Sequence, residues 1–269
     1  MGFGGEVMSV GAQHFAAVVC ITRMDNSFHS IRKQYIRGSL DESLVNPDPL
    51  VQLHEWVSEA IRAECPEPTA MVLSTSGKNL KPSSRVVLMK GLDQDGLTFF
   101  TNYESRKGQQ LADNPQAALL FFWPDLERQV RVEGFVTRIP EAESDAYFAS
   151  RPEASRISAV ISPQSCEIPN RKWLEDKRQF AVGNRQETDV ETDCNLSPHA
   201  VPQLPNVETD CNLPLHALPP SPAVRPSNWG GYRFTPDYFE FWLGRVDRLH
   251  DRIIYRRSEN AWKIARLAP

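Results

Sequence analysis

The first strong pattern begins at Leu50. Apolar residues recur at Leu53, Trp56, Val57 and Ile61, the spacing of one helical face. Asp48 before Pro49 supplies an N-cap with proline at the first helical position, and Pro66 stops the helix. The pattern then shortens to strand-like runs: Ala70–Thr75, Ser84–Lys90, Leu97–Thr101, Ala117–Trp123 and Gln129–Arg138. Turn chemistry bounds them at Ser76-Gly77, Asp93–Gly96, Asn114-Pro115 and Pro124-Asp125. In the last run Val130, Val132 and Val136 face one way, while Gln129, Arg131 and Glu133 face the other. One side packs and the other meets water or ligand. Short antiparallel-type strands at regular spacing predict a barrel or sandwich.

Helical segments interleave with these strands. Asn102–Leu111 opens a short helix directly after a strand, with Arg106 and Lys107 in its first turns. Pro140–Ser150 is a helix with acidic residues in its first turn, broken at Arg151-Pro152. Asn170–Val182 is a further helix with Trp173, Leu174 and Phe180 as its buried positions. Aromatic strands resume after Trp229-Gly230-Gly231-Tyr232 through Phe234, Phe239, Phe241 and Trp242. Ile253–Arg257 and Trp262–Leu267 form the last pair.

Two stretches fit no such pattern. Residues 1–30 read as a poorly ordered extension ahead of a domain spanning 31–269. Val190–Asn206 is followed at once by a near copy, Val207–Ala223. Its prolines argue against helix or strand, so a surface loop at about 186–227 interrupts the domain. Each copy pairs Cys with His (Cys194/His199, Cys211/His216), at a spacing that matches no common zinc pattern, and no metal is expected.

Composition narrows the class. The chain has 269 residues and a net charge of −4. That balance gives no nucleic-acid footprint, so any anion site must be local. No apolar run spans a bilayer. Five scattered cysteines without a CxxC pair point to reduced thiols and a cytoplasmic protein.

The densest polar chemistry is Arg248-Leu249-His250-Asp251-Arg252. Arginine offers a planar fork to phosphate or carboxylate, and histidine handles protons near neutral pH. A solvated turn in which Asp251 pairs with Arg248 or Arg252 explains the same residues. Arg106 and Lys107 at a helix start suit phosphate, although taken alone a solvated basic helix end is the better reading. Tyr147, Arg151 and Ser155 are spaced by four and converge if the chain stays helix-like through Pro152.

Several longer stretches carry a resemblance. They are Arg85–Gly91, Phe99–Asn102 with Ser105–Lys107, and Glu127–Gly134. Tyr147-Phe148 with Ser150–Pro152, Gln164-Ser165, Trp229–Tyr232, Glu240–Trp242, Arg248–Arg252 and Arg266–Pro269 follow in order. Together the chain resembles the pyridoxamine 5'-phosphate (pyridoxine 5'-phosphate) oxidase family from about Ile31 to Asn184 and from Asn228 onward. The resemblance implies a mainly β (α+β) fold, an FMN-binding split β-barrel. This is a Greek-key antiparallel barrel with peripheral helices, working as a homodimer with flavin at the subunit interface. Implied FMN contacts fall on Arg85, Val86, Val87, Leu88, Lys90, Phe100, Thr101, Arg106, Lys107, Gln129, Gln164, Ser165, Trp242 and Arg252. Implied substrate contacts fall on Lys90, Tyr147, Arg151 and Ser155 for the phosphate. Arg248, Leu249 and His250 fall beside the pyridine ring, with Arg248 and His250 catalytic, and Arg32 and Tyr35 in a covering segment. The implied reaction oxidises C4' of pyridoxamine 5'-phosphate or pyridoxine 5'-phosphate to the aldehyde, with hydride passing to the flavin and O2 giving H2O2.

Two departures stand out. Asp247 precedes Arg248 where the family more often has an uncharged residue or His, which predicts a carboxylate competing for Arg248. The tandem repeat replaces a short linker. Two other classes compete with the oxidase reading: a different split-barrel flavin oxidoreductase, such as a flavin reductase, and a flavin or pyridoxal-phosphate binder without turnover.

Overall fold

A computed structural model describes Tyr35, residues 38–183, 224–259 and 261–269. The expected extension at 1–30, Arg32 and both repeat copies lie outside the described residues. In chain order the elements are α1 (Pro49–Arg62), β1 (Ala70–Ser76), β2 (Pro82–Leu88), β3 (Gly91–Asp93), β4 (Gly96–Asn102) and α2 (Arg106–Asp113). Then come β5 (Gln116–Trp123), β6 (Arg128–Arg138), α3 (Glu141–Ser150), α4 (Glu153–Ile161), α5 (Arg171–Gly183), β7 (Trp229–Leu243), β8 (Asp251–Ser258) and β9 (Ala261–Arg266).

All strand pairs are antiparallel within one nine-stranded sheet, ordered β2-β1-β5-β6-β7-β4-β3, with β8 on β7 and β9 on β8. The sheet curls into the half-barrel of a split β-barrel, with helices at its periphery. Strand β7 organises it. Its whole length from Tyr232 onward pairs with β6, while its other edge takes β4 over Trp229–Phe234 and β8 over Tyr238–Leu243. A register shift at Glu133/Gly134 bends β6 against β7. A Cβ on Gly134 would lie 2.2 Å from Thr235 O, so only glycine allows the close backbone approach at this bend.

The alternation in β6 holds. Val130, Val132 and Val136 are buried in the barrel core with Phe99, Phe121, Phe239 and Phe241. Helix α1 closes one side of that core through Leu53, Trp56, Val57 and Ala60. Asp48 caps it as expected, accepting from Leu50 N at 2.9 Å. Trp56 meets Phe241 edge-on at 5.1 Å and carries the Arg128 guanidinium on its ring.

Several sequence expectations need correction. Gly91–Asp93 pairs with β4 as the short strand β3 rather than only leading into a turn. β2 starts and ends two residues earlier than the apolar run suggested, because its pairing with β1 extends through Ser83 and Pro82. Pro152 does break α3, but it also starts α4: proline ahead of the first helical residue presets the backbone for a helix. On α5 Trp173 and Leu174 are half-buried, but Phe180 is exposed.

Phe241 is fully buried between Trp56 and Tyr255. Phe241→Ala should cost about 3–5 kcal/mol through lost burial and the cavity left behind. A thermal unfolding midpoint unchanged from wild type would refute this account of the core.

Candidate functional site

One cleft of about 680 Å³ lies between β2, β4, the start of α2, the end of α3 and the Gln164-Ser165 turn. It is lined by Arg85, Val86, Val87, Leu88, Lys90, Phe100, Thr101, Arg106, Lys107, Tyr147, Arg151, Gln164, Ser165, Trp229, Ser83 and Ser84. Five of these are cations, and none of the described lining residues is a carboxylate. Such a wall attracts anions and leaves its charges for a ligand to neutralise.

At one side of the cleft, Ser105 caps α2, its Oγ accepting from Gly108 N at 3.3 Å. The next two residues, Arg106 and Lys107, are therefore fixed at the helix start. Lys107 is buried and donates to Gln164 Oε1 at 2.9 Å, Thr101 Oγ1 at 3.0 Å and Ser105 Oγ at 3.3 Å. All three acceptors are neutral. Burial, reinforced by the nearby Arg85 guanidinium, pushes the Lys107 ammonium down to about 8. Arg85 is likewise lowered by burial and by Arg106. A bound anion would relieve both.

The other side is aromatic. Tyr147 stacks on Phe100 at 3.8 Å, and Trp229 continues the stack at 5.6 Å from Phe100. Gly231 admits this packing: a Cβ there would sit 2.8 Å from Phe100 Cε1 and 2.4 Å from Ile139 Cδ1. Arg151 lies over the Trp229 ring at 4.6 Å. Its Nη1 is buried and has no partner among the described residues, a donor awaiting an acceptor. Burial raises the Tyr147 phenol, so it stays a neutral donor.

Tyr147 and Arg151 thus converge, but not on one helix. Arg151 is extended at φ −72, ψ 147, and Ser155 restarts the chain in the first turn of α4, outside the cleft lining. Trp229, like Ser83 and Ser84, is a wall residue to which the sequence assigned no role. Its adjacent Gly-Gly pair was the available signal.

Among the described residues, a second group, Tyr35, Gln129, Trp242, Arg248, Leu249, His250 and Arg252, lines no part of this cleft. Gln129, Trp242 and Arg252 occupy one cross-strand row on β6, β7 and β8, on the sheet face opposite the core. His250 packs on Trp242 at 4.7 Å, and Tyr35 meets both rings edge-on, at 5.7 and 5.4 Å. Tyr35 also sits over Gly244, where a Cβ would approach its ring at 2.3 Å. The backbone N–H of Arg245 donates to His250 Nδ1 at 3.1 Å. That bond requires a bare Nδ1, which places the proton of the neutral ring on Nε2. Burial and Arg248 both lower the imidazole further from protonation. Leu249 and Arg248 are exposed.

The polar turn differs from both pairings the sequence suggested. Asp251 binds Arg266 at 2.7 Å and Leu40 N at 3.0 Å, not Arg248 or Arg252. Arg252 instead donates through Nε and Nη2 to buried Glu240, each at 2.8 Å, and through Nη1 to Ala268 O. Asp247 does not pair with Arg248. Both residues are left-handed, at φ 55 and 60, a backbone conformation that is costly for residues with a Cβ.

Known proteins resemble this chain in sequence and in fold. A family model described as pyridoxamine 5'-phosphate oxidase matches residues 57–179, and one described as the pyridoxine 5'-phosphate oxidase C-terminal dimerisation region matches 229–269. The chain is 47% identical over 244 residues to a pyridoxine/pyridoxamine 5'-phosphate oxidase of Polynucleobacter asymbioticus, covering 91% of this chain and 100% of that one. It is 48% identical to the protein of the same name from Burkholderia pseudomallei, covering 89% and 97%. Among solved structures it is similar to PhzG from Burkholderia lata in complex with tetrahydrophenazine-1-carboxylic acid, with TM-score 0.68, 27% identity and coverage of 87% and 99%. A pyridoxamine 5'-phosphate oxidase-related, FMN-binding protein from Nostoc punctiforme shares the fold at TM-score 0.54 and 17% identity, with coverage of 86% and 100%. The cofactor is FMN, and the cleft suits it: uncompensated cations for a phosphate, amide and hydroxyl groups for polar ring and ribityl atoms. By sequence along nearly its whole length and by fold, the chain belongs to the pyridoxamine 5'-phosphate oxidase family.

Proposed function

We propose that this chain oxidises pyridoxamine 5'-phosphate and pyridoxine 5'-phosphate to pyridoxal 5'-phosphate, with O2 as oxidant and H2O2 as product. The observation that carries this reading is the cleft with five cations and no acid among its described lining residues. Its cations fall into two sets with different surroundings. Arg85, Arg106 and Lys107 gather at the start of α2 and take the FMN phosphate. Arg151, with its unpartnered Nη1, stands with Tyr147 and Lys90 and takes the phosphate of the substrate. An oxidase for an unphosphorylated acid has no need of the second set.

Bound FMN supplies the hydride acceptor and the route of electrons to O2. The protein supplies placement. Gripping the substrate phosphate removes most of its freedom before reaction. His250, with its proton on Nε2, donates a hydrogen bond to the substituent at C4', and Arg248 steadies the pyridine ring. Thr101, Gln164 and Ser165 meet polar atoms of the flavin, with the backbone of Val86, Val87 and Leu88 along its edge.

The second group joins from another subunit in this reading. Trp229 and Trp242 lie near opposite ends of β7, separated by roughly 40 Å of extended chain at about 3.3 Å per residue. That separation along the strand favours a homodimer in which each chain supplies one of the two groups to a flavin. The match of residues 229–269 to a dimerisation region supports it, as do exposed Val86, Leu88 and Phe122 on the sheet.

Purified protein should carry FMN and form pyridoxal 5'-phosphate and H2O2 in equal amounts from pyridoxine 5'-phosphate and O2. A flavin-loaded dimer that turns over neither phosphorylated substrate would instead make the chain a binder. Arg151→Ala should raise KM for either substrate about 10–100-fold while FMN stays bound, as expected for loss of a charge-assisted phosphate contact. An unchanged KM would remove Arg151 from the substrate site.

The Lys107 ammonium sets a pH dependence. Its ordinary value of 10.5 falls to about 8 in the ligand-free protein. FMN binds the protonated form, so affinity should be level from about pH 7 to 8 and then fall by up to about tenfold per pH unit. In Lys107→Gln the profile should be flat over that range. Titrations of FMN fluorescence against pH decide between the two.

A further inference from the structure

Arg85 is steered by a residue outside the cleft lining. Its Nη1 donates to Thr75 Oγ1 at 2.6 Å and Leu73 O at 3.1 Å, and its Nη2 donates to Ser83 Oγ at 2.5 Å. Both hydroxyls then donate to a single atom, Gln110 Oε1, at 2.7 Å each. Arg85 Nη2 reaches that same oxygen at 3.4 Å.

The direction of these bonds is forced. A guanidinium only donates, so each hydroxyl accepts from Arg85 and has one hydrogen left. Both hydrogens go to Gln110. Gln110 is thus the terminal acceptor of the network, and it is buried, as is Thr75. Without it the two hydroxyls lose the acceptor that orients them, and the Leu73 carbonyl is left as the fixed partner of Arg85.

The terminal acceptor is also neutral. A carboxylate in its place would hold Arg85 as firmly but cancel its charge. The protein uses that other solution for Arg252, whose guanidinium is bound by buried Glu240. Among the described residues Arg85 has no acid against it, and its pairing leaves its full charge for a ligand.

We propose that Gln110 is a positioning residue for the flavin phosphate: a neutral acceptor that aims Arg85 through Thr75 and Ser83 while leaving it cationic. The proposal rests on the reading that Arg85 faces that phosphate.

The test compares dissociation constants of FMN and riboflavin, which lacks the phosphate, on flavin-free protein. Gln110→Glu should lower the preference for FMN over riboflavin about tenfold or more, the effect of one added charge in a partly buried site, with riboflavin affinity unchanged. Gln110→Met, which removes the acceptor without adding charge, should lower it less. Equal losses for both flavins would mark a merely structural role and overturn the proposal, as would an unchanged preference. If Gln110→Glu does not fold, Thr75→Val cuts one arm of the relay and should also lower the preference. An unchanged preference there overturns the proposal too. Arg85→Gln separates the two layers: if it leaves the FMN preference intact, Arg85 does not face the phosphate, and the reading beneath the proposal fails first.

Discussion

Pairing of β7 on both edges is the constraint on which the rest depends. One strand of fifteen residues must satisfy β6 along one edge and two different partners, β4 and β8, along the other. Its buried aromatics tie the core together, and its two ends carry the two halves of the chemistry. Trp229 stands in the cleft, and Trp242 stands in the row with Gln129 and Arg252. A change in register at the Gly134 bend would turn each of these side chains to the wrong face.

Charge is handled differently at the two ends. In the cleft the cations are surrounded by hydroxyls, amides and aromatic faces, so their attraction for an anion is intact. In the second group Arg252 and Arg131 share the buried Glu240 carboxylate, which leaves fixed geometry and little free charge. The same residue type serves as an anion trap in one place and as an oriented hydrogen-bond donor in the other, and the partner decides which.

Much of the fold was legible in order along the chain. Period-two burial in β6 and the Asp48 cap of α1 are local signals, and both held. Most cleft residues were legible too, because they sit in long motifs, from Arg85 to Lys107 and at Gln164-Ser165. What stayed hidden depends on contacts between distant segments. Asp251 meets Arg266 because β8 and β9 pair antiparallel, which no reading of the turn alone could supply. Trp229 becomes a wall only when β7 lies against β4 and α3 brings Tyr147 to Phe100. Gln110 reads as an ordinary polar helix residue until the β1–β2 pair places Thr75 and Ser83 over it. The spacing of Tyr147, Arg151 and Ser155 hinted at one helix, but Pro152 splits the stretch into α3 and α4, and Ser155, placed in the substrate site by the resemblance, does not line the cleft.

Arg225 sits just ahead of β7, its side chain almost wholly covered. It binds Asp145 on α3 at 2.6 Å and the carbonyl of Trp229 at 2.6 Å. It clamps the start of β7 to α3 at the point where the chain enters the cleft wall. The closure cost of a connecting segment grows only slowly with its length. Lineages can therefore lengthen or shorten the sequence before Val224 with little effect on the cleft, provided that the clamp is kept. Gain and loss of residues should be common on the upstream side of Arg225 and rare between it and Trp229.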